Sequence, residues 1–272
     1  MDTPSPVQHL ATTSWRGNVQ AERERALPEE VAVALSYDRE NFAVMMASPV
    51  DLHDFAVGFS LSEGIIGKAE DITYFEIIIV DEGIECRMTL APQLRESLQA
   101  RRRRIAGPVG CGLCGLDSLK EASRSLPAVP ATTQISATAI ADAFKSLAQQ
   151  QLLNNETRAV HAAAFFAPGK ALLVREDIGR HNALDKLIGA AALRGDDAAT
   201  GALLLTSRIS LDLIQKAAVF GAGILAAISV PTARAVREAQ AAGITLIAVA
   251  RDDGFEVFTH PARILFPEQN AG

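Results

Sequence analysis

The C-terminal half of the chain is punctuated in a way that few architectures accommodate. Short apolar runs at 202–206, 224–230 and 244–250 are separated by stretches of helical period at 212–220 and from Pro231 to near Gly243. Apolar runs of this length between amphipathic stretches read as strands buried on both faces. Strand–helix–strand alternation calls for crossover connections, so the sequence predicts a central sheet with helices on both faces. Earlier in the same half, Ser136 is placed to cap a helix running to Gln151. Strands are expected at 159–166 and 171–175, joined at Pro168-Gly169, and Leu184, Leu187, Ile188 and Ala191 fit a helix beyond Gly179.

The first half reads differently. Residues 1–28 are polar and without period, and are predicted to be a flexible arm ending at Pro28. Val31, Val33 and Leu35 alternate as in a strand, and 42–47 suggest a second after a turn at Asp38-Arg39-Glu40-Asn41. Asp51 is expected to cap a helix carrying Leu52, Phe55, Ala56 and Phe59 on one face, with stops at Gly64 and Gly67. Residues 72–80 and 84–90 read as a hairpin around Asp81-Glu82-Gly83. Its second arm places Ile84, Cys86, Met88 and Leu90 on one face, which makes Cys86 a buried structural cysteine. Helices are expected from Pro92 to Arg104 and over 116–125, flanking a loop at 107–115. Pro127 and Pro130 mark a linker over 127–133. The expected division is an arm at 1–28, a smaller N-terminal α+β lobe at 29–126 that ends in the C-x-x-C loop, and a C-terminal α/β lobe at 134–267. The fold class is α/β, α+β overall.

Composition narrows the function. Lys plus Arg number 26 and Asp plus Glu 32, a formal charge of −6, so no global basic field exists to hold duplex nucleic acid. Three cysteines cannot form an even disulfide framework and point to a reducing compartment. Residues 1–20 hold no apolar core of a signal segment. The longest apolar stretch, 217–230, is interrupted at Ser229 and broken by Gly221 and Gly223, and is too short to span a bilayer. A soluble cytoplasmic protein with neither nucleic acid nor membrane as partner is expected.

The strongest chemical signal is Cys111-Gly112-Leu113-Cys114, set in a loop with four glycines and a proline in nine residues. A zinc site would need two further ligands. Only Cys86 and His9, His53, His161, His181 and His260 remain, and no second paired spacing occurs among them, so no metal is assigned. A thiol–disulfide pair normally follows a strand and opens a helix, whereas here a predicted helix and the arginines at 101–104 come first. Sulfur handling is the third reading. The glycines leave the thiols accessible, and backbone amides together with the arginines favour thiolate. Such a thiolate can take the outer sulfur of a donor persulfide. Spacing alone does not choose between redox exchange and sulfur transfer. The arginine run suits either a solvated helix end or the docking of an anionic partner.

Three polar junctions follow predicted strands: 175–182, with Arg180 and His181 at a helix start; Thr206-Ser207-Arg208; and 249–254. Each alone is an ordinary loop. If the strands are parallel they meet on one edge of the sheet, where open α/β folds bind ligands, and a phosphorylated planar ligand would suit them. No phosphate-loop, H-E-x-x-H or G-x-S-x-G motif is present. Gly221-Ala222-Gly223-Ile224-Leu225-Ala226 follows a predicted helix, so it is discounted as a dinucleotide fingerprint. No histidine is followed by x-Glu, and Gly110 rather than proline precedes Cys111, so the zinc-deaminase signature is not met.

Residues 49–66, 110–115, 176–186, Thr206-Ser207-Arg208 and Pro231-Thr232 together resemble the FdhD family of formate dehydrogenase accessory sulfurtransferases, over roughly 29–266. The sequence departs at Thr157-Arg158-Ala159-Val160-His161, where the family reads T-G-G-x-H. The resemblance implies a sulfur carrier between a cysteine desulfurase and the molybdenum cofactor, bis(molybdopterin guanine dinucleotide), of formate dehydrogenase. It implies Cys111 as persulfide carrier, with Cys114 as auxiliary thiol. The family's cofactor-binding segment aligns with Val249, Ala250, Arg251, Asp252, Asp253 and Gly254. Arg180, His181, Ser207 and Arg208 join it from the other junctions. A three-layer C-terminal lobe similar to cytidine deaminases, without zinc chemistry, and a homodimer are implied as well. The alternatives left open are a C-x-x-C thiol–disulfide oxidoreductase and a cofactor chaperone without sulfur chemistry.

Overall fold

The computed structural model describes residues 3–95, 98, 126–130 and 133–267. The chain is a mixed α/β protein built on a four-stranded and a six-stranded sheet. It begins with β1 (Val7–Arg16) and β2 (Val19–Pro28), a regular antiparallel ribbon where the sequence suggested a loose arm. Gly17 and Asn18 turn it with φ of 56° and 63°, the left-handed pair that a two-residue hairpin turn requires. The ribbon buries neither face, so its residues carry no alternation of apolar and polar to reveal a strand.

β3 (Val31–Tyr37), β4 (Glu40–Ala47), β5 (Ile72–Val80) and β6 (Gly83–Leu90) form the four-stranded sheet in the order β4-β3-β6-β5. β3 and β6 are parallel; the other pairs are antiparallel. Helix α1 (Leu52–Ser62) packs Leu52, Phe55, Ala56 and Phe59 onto Val33, Leu35, Ile84, Cys86, Met88 and Leu90 of one face. Asp51 stands at its start with φ 54° but makes no side-chain cap. Its carboxylate lies 3.7 Å from Nε of Arg175 instead. A short 3₁₀ turn at Pro92–Leu94 begins the segment expected to be helical. Arg95 and Leu98 of that segment are helical, whereas its residues 96–97 and 99–104, the C-x-x-C loop and the helix expected at 116–125 lie outside the described residues.

The second sheet contains β8 (His161–Phe166), β9 (Leu173–Asp177), β10 (Ala202–Leu205), β11 (Ile224–Ala227), β12 (Thr245–Arg251) and β13 (Gly254–Val257), in the order β13-β12-β11-β10-β8-β9. β10, β11 and β12 are parallel, as the alternation predicts. β8 runs against both β10 and β9, so β9 points the same way as β10 to β12. β7 (Ile135–Ser136) and β14 (Ile264–Leu265) pair beside it. Ala163, Phe165, Leu203, Leu205, Leu225, Ala227 and Leu246 face α4 (Arg180–Leu193), α5 (Leu211–Phe220) and α6 (Ala233–Ala242). The alternate residues Ala162, Ala164, Leu204, Ile224, Ala226 and Ile247 lie in clusters with Ile140, Ala143 and Leu147 of α2 (Ala137–Gln150), on the opposite side. This is the expected three-layer arrangement. Helix α3 (Leu152–Thr157) leads into β8.

Local differences have local causes. β11 ends at Ala227, earlier than the apolar run suggests, and Pro231 does not open α6. Thr232 does, its hydroxyl accepting from the Ala235 N–H at 3.1 Å. Val129, in the stretch read as linker, is buried against the six-stranded sheet's core, and its N–H donates to Ala242 at 2.9 Å.

The two sheets are joined through α1 and α4, whose backbones touch. A Cβ on Gly58 would stand 1.7 Å from the Asp185 carbonyl oxygen, and one on Gly189 would stand 1.9 Å from that of Asp54. Gly58→Ala is therefore expected to destabilise the protein by about 3 kcal/mol or more in urea unfolding, because the clash is with backbone. At an open helical position the same change stabilises by about 1 kcal/mol. Arg158 ends α3 at φ 59°, a left-handed position where glycine is the default. Arg158→Gly is expected to raise stability by about 1 kcal/mol in the same assay.

Candidate functional site

Because β9, β10, β11 and β12 share a direction, their C-terminal ends share one edge of the six-stranded sheet. Helices α4, α5 and α6 begin just beyond that edge and turn their N-terminal dipoles and free amides towards it. The three polar junctions of the sequence thus do meet on one edge, but spread along it. From β9 to β12 there are four strand spacings, about 19 Å. Ser207 and Arg208 follow β10, midway between the other two groups.

The dense polar run 176–186 divides into two uses, and most of it is structural. The Glu176 carboxylate accepts from the Leu153 and Asn154 amides at 2.8 and 2.9 Å, closing the start of α3. Asp177 and Lys186, both fully buried, pair at 2.7 Å. Asp177 also accepts from the Ser48 amide at 3.0 Å, and Lys186 donates to the Ser48 carbonyl at 3.0 Å. Asn182 donates to the Met46 carbonyl at 2.8 Å and to Asp177 at 3.0 Å. Asp185 pairs with Lys216 of α5 at 2.9 Å and accepts from the Ser62 hydroxyl at 2.6 Å. Lys216 donates to Ser62 at 2.9 Å and lies 3.5 Å from Glu63. Burial works against its charge, but Asp185 and Glu63 outweigh burial and raise its pKa. These groups tie α1 and the end of β4 to α4. Of the run's side chains, Arg180 and His181 are left to serve the edge.

His181 turns Nε2 onto Oδ2 of Asp212, at the first turn of α5. The two side chains are 12% and 10% exposed. Burial depresses the imidazole pKa to about 4. Asp212 pulls the other way, and Arg180, Lys216 and His161 reinforce the depression. The ring is thus held neutral with Nε2 against the Asp212 carboxylate. Asp212 and His161 were not among the expected site residues. Asp212 lies four residues beyond Arg208, in the helix that this junction opens, which was its one sequence signal. His161, at the start of β8, is half-buried, and burial followed by the charge of Arg180 lowers its pKa.

At the far end, Arg251 donates through Nη1 to the Ala250 carbonyl at 2.9 Å and to that of Ile228, so its guanidinium lies across the ends of β11 and β12. Val249, β-branched, holds φ at 56°, inside a register shift between Ala248 and Arg251. A β-branched residue there is strained, and the irregularity re-aims the end of the strand. Ala250 is buried, whereas Asp252 and Asp253 are exposed at the turn into β13 and Gly254 closes it at φ 148°. Ser207 is buried, its hydroxyl donating to the Arg208 carbonyl at 3.0 Å.

Cys111, Cys114 and the arginines at 101–104 lie outside the described residues. Cys86 is fully buried, and burial pushes its thiol up to about 12, so it is no nucleophile. Among the described residues, no group of three or more His, Cys, Asp and Glu side chains is placed to hold a metal ion. No described helix is long and apolar enough to cross a membrane.

Comparison with known proteins places this geometry among relatives. Residues 28–265 match the FdhD/NarQ family. A protein of Agrobacterium fabrum named sulfur carrier protein FdhD is 48% identical over 260 residues, covering 95% of this chain and 96% of that one. Proteins with the same name from Brucella abortus and Cupriavidus necator are 51% and 46% identical, covering 95% and 96% of this chain and 96% and 91% of theirs. A crystal structure from Desulfotalea psychrophila, assigned as a formate dehydrogenase accessory protein, superposes with a TM-score of 0.75 at 23% identity, over 96% of this chain and 100% of that one. It supports the fold.

The buried His181 predicts a pH dependence. Its folded pKa of about 4 lies below the ordinary 6.5, so the unfolded chain takes up this proton first as pH falls. The stability contributed by the neutral ring is complete above about pH 6.5 and is lost as pH falls towards 4. Urea unfolding against pH is expected to show a shallower decline over that window for His181→Gln than for the unaltered protein. Parallel declines would mean that the ring is not held neutral.

Proposed function

Since the chain belongs to the FdhD/NarQ family, we propose that it is a sulfur carrier in the maturation of formate dehydrogenase. The observation that carries this reading is near-half identity, over almost the whole chain, to proteins named for that role. The Cys111 thiolate attacks the outer sulfur of a persulfide on a cysteine desulfurase. The donor's thiolate leaves, and Cys111 keeps the sulfur as Cys–S–SH. Cys114 then attacks the Cys111 sulfur and expels hydrosulfide, leaving a Cys111–Cys114 disulfide that a cellular dithiol reduces. The substrate that receives the sulfur is bis(molybdopterin guanine dinucleotide) bearing molybdenum. The protein works as a homodimer in the cytoplasm and serves formate dehydrogenase.

The sheet edge offers donors that would suit the acceptor's phosphates. Arg180 at one end and Arg251 at the other supply charge-assisted donors, and the N-termini of α4 and α5 supply amides between them. Groups spread over about 19 Å suit an extended ligand with phosphates at separate points better than a single mononucleotide. Holding the acceptor in a fixed orientation lowers the barrier to its sulfuration by removing orientational freedom.

Intact mass spectrometry after incubation with a cysteine desulfurase and cysteine is expected to show one added sulfur, absent in Cys111→Ala. No adduct under any condition would refute the carrier role, and a redox-active pair that retains no sulfur would favour the oxidoreductase. With GDP as a probe of the edge, one molecule is expected at each end, and Arg180→Ala or Arg251→Ala is expected to weaken binding at its own end about tenfold, the loss of one charge-assisted hydrogen bond. Unchanged binding would place the nucleotide elsewhere.

A further inference from the structure

The ribbon of β1 and β2 is left without a task by the sulfur-carrier reading, yet it is built with more order than an idle arm needs. Two ten-residue strands pair over their whole length, about 33 Å. An isolated two-stranded ribbon is marginal in water, and this one stands largely in solvent, with Trp15 71%, Val19 64% and Leu10 54% exposed.

Its charges are sorted by face. Side chains alternate along each strand, so the register puts Arg16, Arg23 and Arg25 on one face together with Leu10, Val19 and Leu27, and no carboxylate falls there. Arg23 Nε donates to the Ser14 hydroxyl on that same face at 3.0 Å. The other face carries Glu22 and Glu24 and no lysine or arginine. His9 lies on that acidic face, with Nδ1 3.0 Å from Glu24 and Nε2 3.2 Å from Glu156 of α3. At its His9 end the acidic face is thus turned to the body at α3, while Trp15 on its outer part stands in solvent; the basic face is exposed along its length except at Ser14 and Ala21.

The ribbon also leaves the body beside the candidate site. β2 runs into β3, whose Val31 pairs with Ala47, and the next residue, Ser48, is bonded to Asp177 at the C-terminal end of β9. Glu156 precedes His161, at the same edge, by five residues. We infer that the basic face of this ribbon docks an acidic surface of the enzyme that receives the cofactor, bringing that enzyme against the sheet edge. The inference rests on the sulfur-carrier reading. Exposed arginines interleaved with apolar side chains are an interface composition, and on a chain of net charge −6 they give orientation as well as contact. A second copy stacked on this face by a two-fold axis would bring six guanidinium groups together, which disfavours it.

The test uses the full chain carrying Arg16→Glu, Arg23→Glu and Arg25→Glu, with Glu22→Lys as a control on the opposite face. Activation of purified cofactor-free formate dehydrogenase is expected to fall at least tenfold at low ionic strength, with the deficit narrowing as salt rises. Sulfur loading from the desulfurase, GDP binding, sedimentation and the thermal midpoint are expected to stay unchanged, and the control to activate normally. Activation at the unaltered level would overturn the inference. So would a parallel loss of loading, which would give the ribbon to the donor, or a change in sedimentation, which would make it a subunit interface. Salt-sensitive binding of duplex DNA that the triple variant loses would also overturn it. A chain that takes up no sulfur even without these substitutions would instead refute the carrier reading itself.

Discussion

The contact between α1 and α4 is the constraint from which the rest of the molecule follows. With only hydrogen on Gly58 and Gly189, the two helix backbones approach to a distance that no side chain permits. A crossing made of backbone buries few side chains of its own and by itself fixes the rotation of one helix on the other only weakly. Buried ion pairs on either side supply that definition. Asp177 and Lys186 grip Ser48, just after β4, and Asp185 and Lys216 grip Ser62, at the end of α1. Burying charge is unfavourable unless every partner is in place, so these pairs tolerate one register of the two sheets and penalise its neighbours.

The candidate site is an extension of that joint. His181 and Asp185 lie one turn apart on α4, and Asp212 and Lys216 one turn apart on α5, so two cross-helix pairs stack from the sheet edge inward. The helix that holds the two sheets together is also the one that presents Arg180 to the edge. Positioning at the site therefore depends on contacts with α1, and changes far from the ligand are transmitted through packed backbone rather than through a flexible hinge.

Much of the architecture was legible because it is written in local pattern. The parallel run β10, β11 and β12 follows from apolar segments alternating with helical period, and the burial of Cys86 follows from its place beside Ile84 and Met88. The ribbon was missed because neither of its faces is buried, although the Gly17-Asn18 turn was visible. The capping role given to Asp51 failed because its backbone is left-handed, at φ 54°, rather than in the extended conformation that a capping side chain needs. The run at 176–186 looked like a single site because its partners Ser48, Ser62 and Lys216 come from distant parts of the chain, where no spacing rule reaches. That the junctions would share an edge could be read from strand direction. Their spread along it could not, since it depends on β8 and β9 adding beyond β10.

Under the proposed function, a carrier that holds both cargo and acceptor should release sulfur only when the acceptor is seated. The direct measurement is a single-turnover chase of protein carrying labelled persulfide at Cys111, with and without the molybdenum cofactor. The account predicts that label leaves the protein rapidly with the cofactor present and slowly without it, and that Arg180→Ala with Arg251→Ala abolishes the difference. Release at one rate in all these conditions would contradict it.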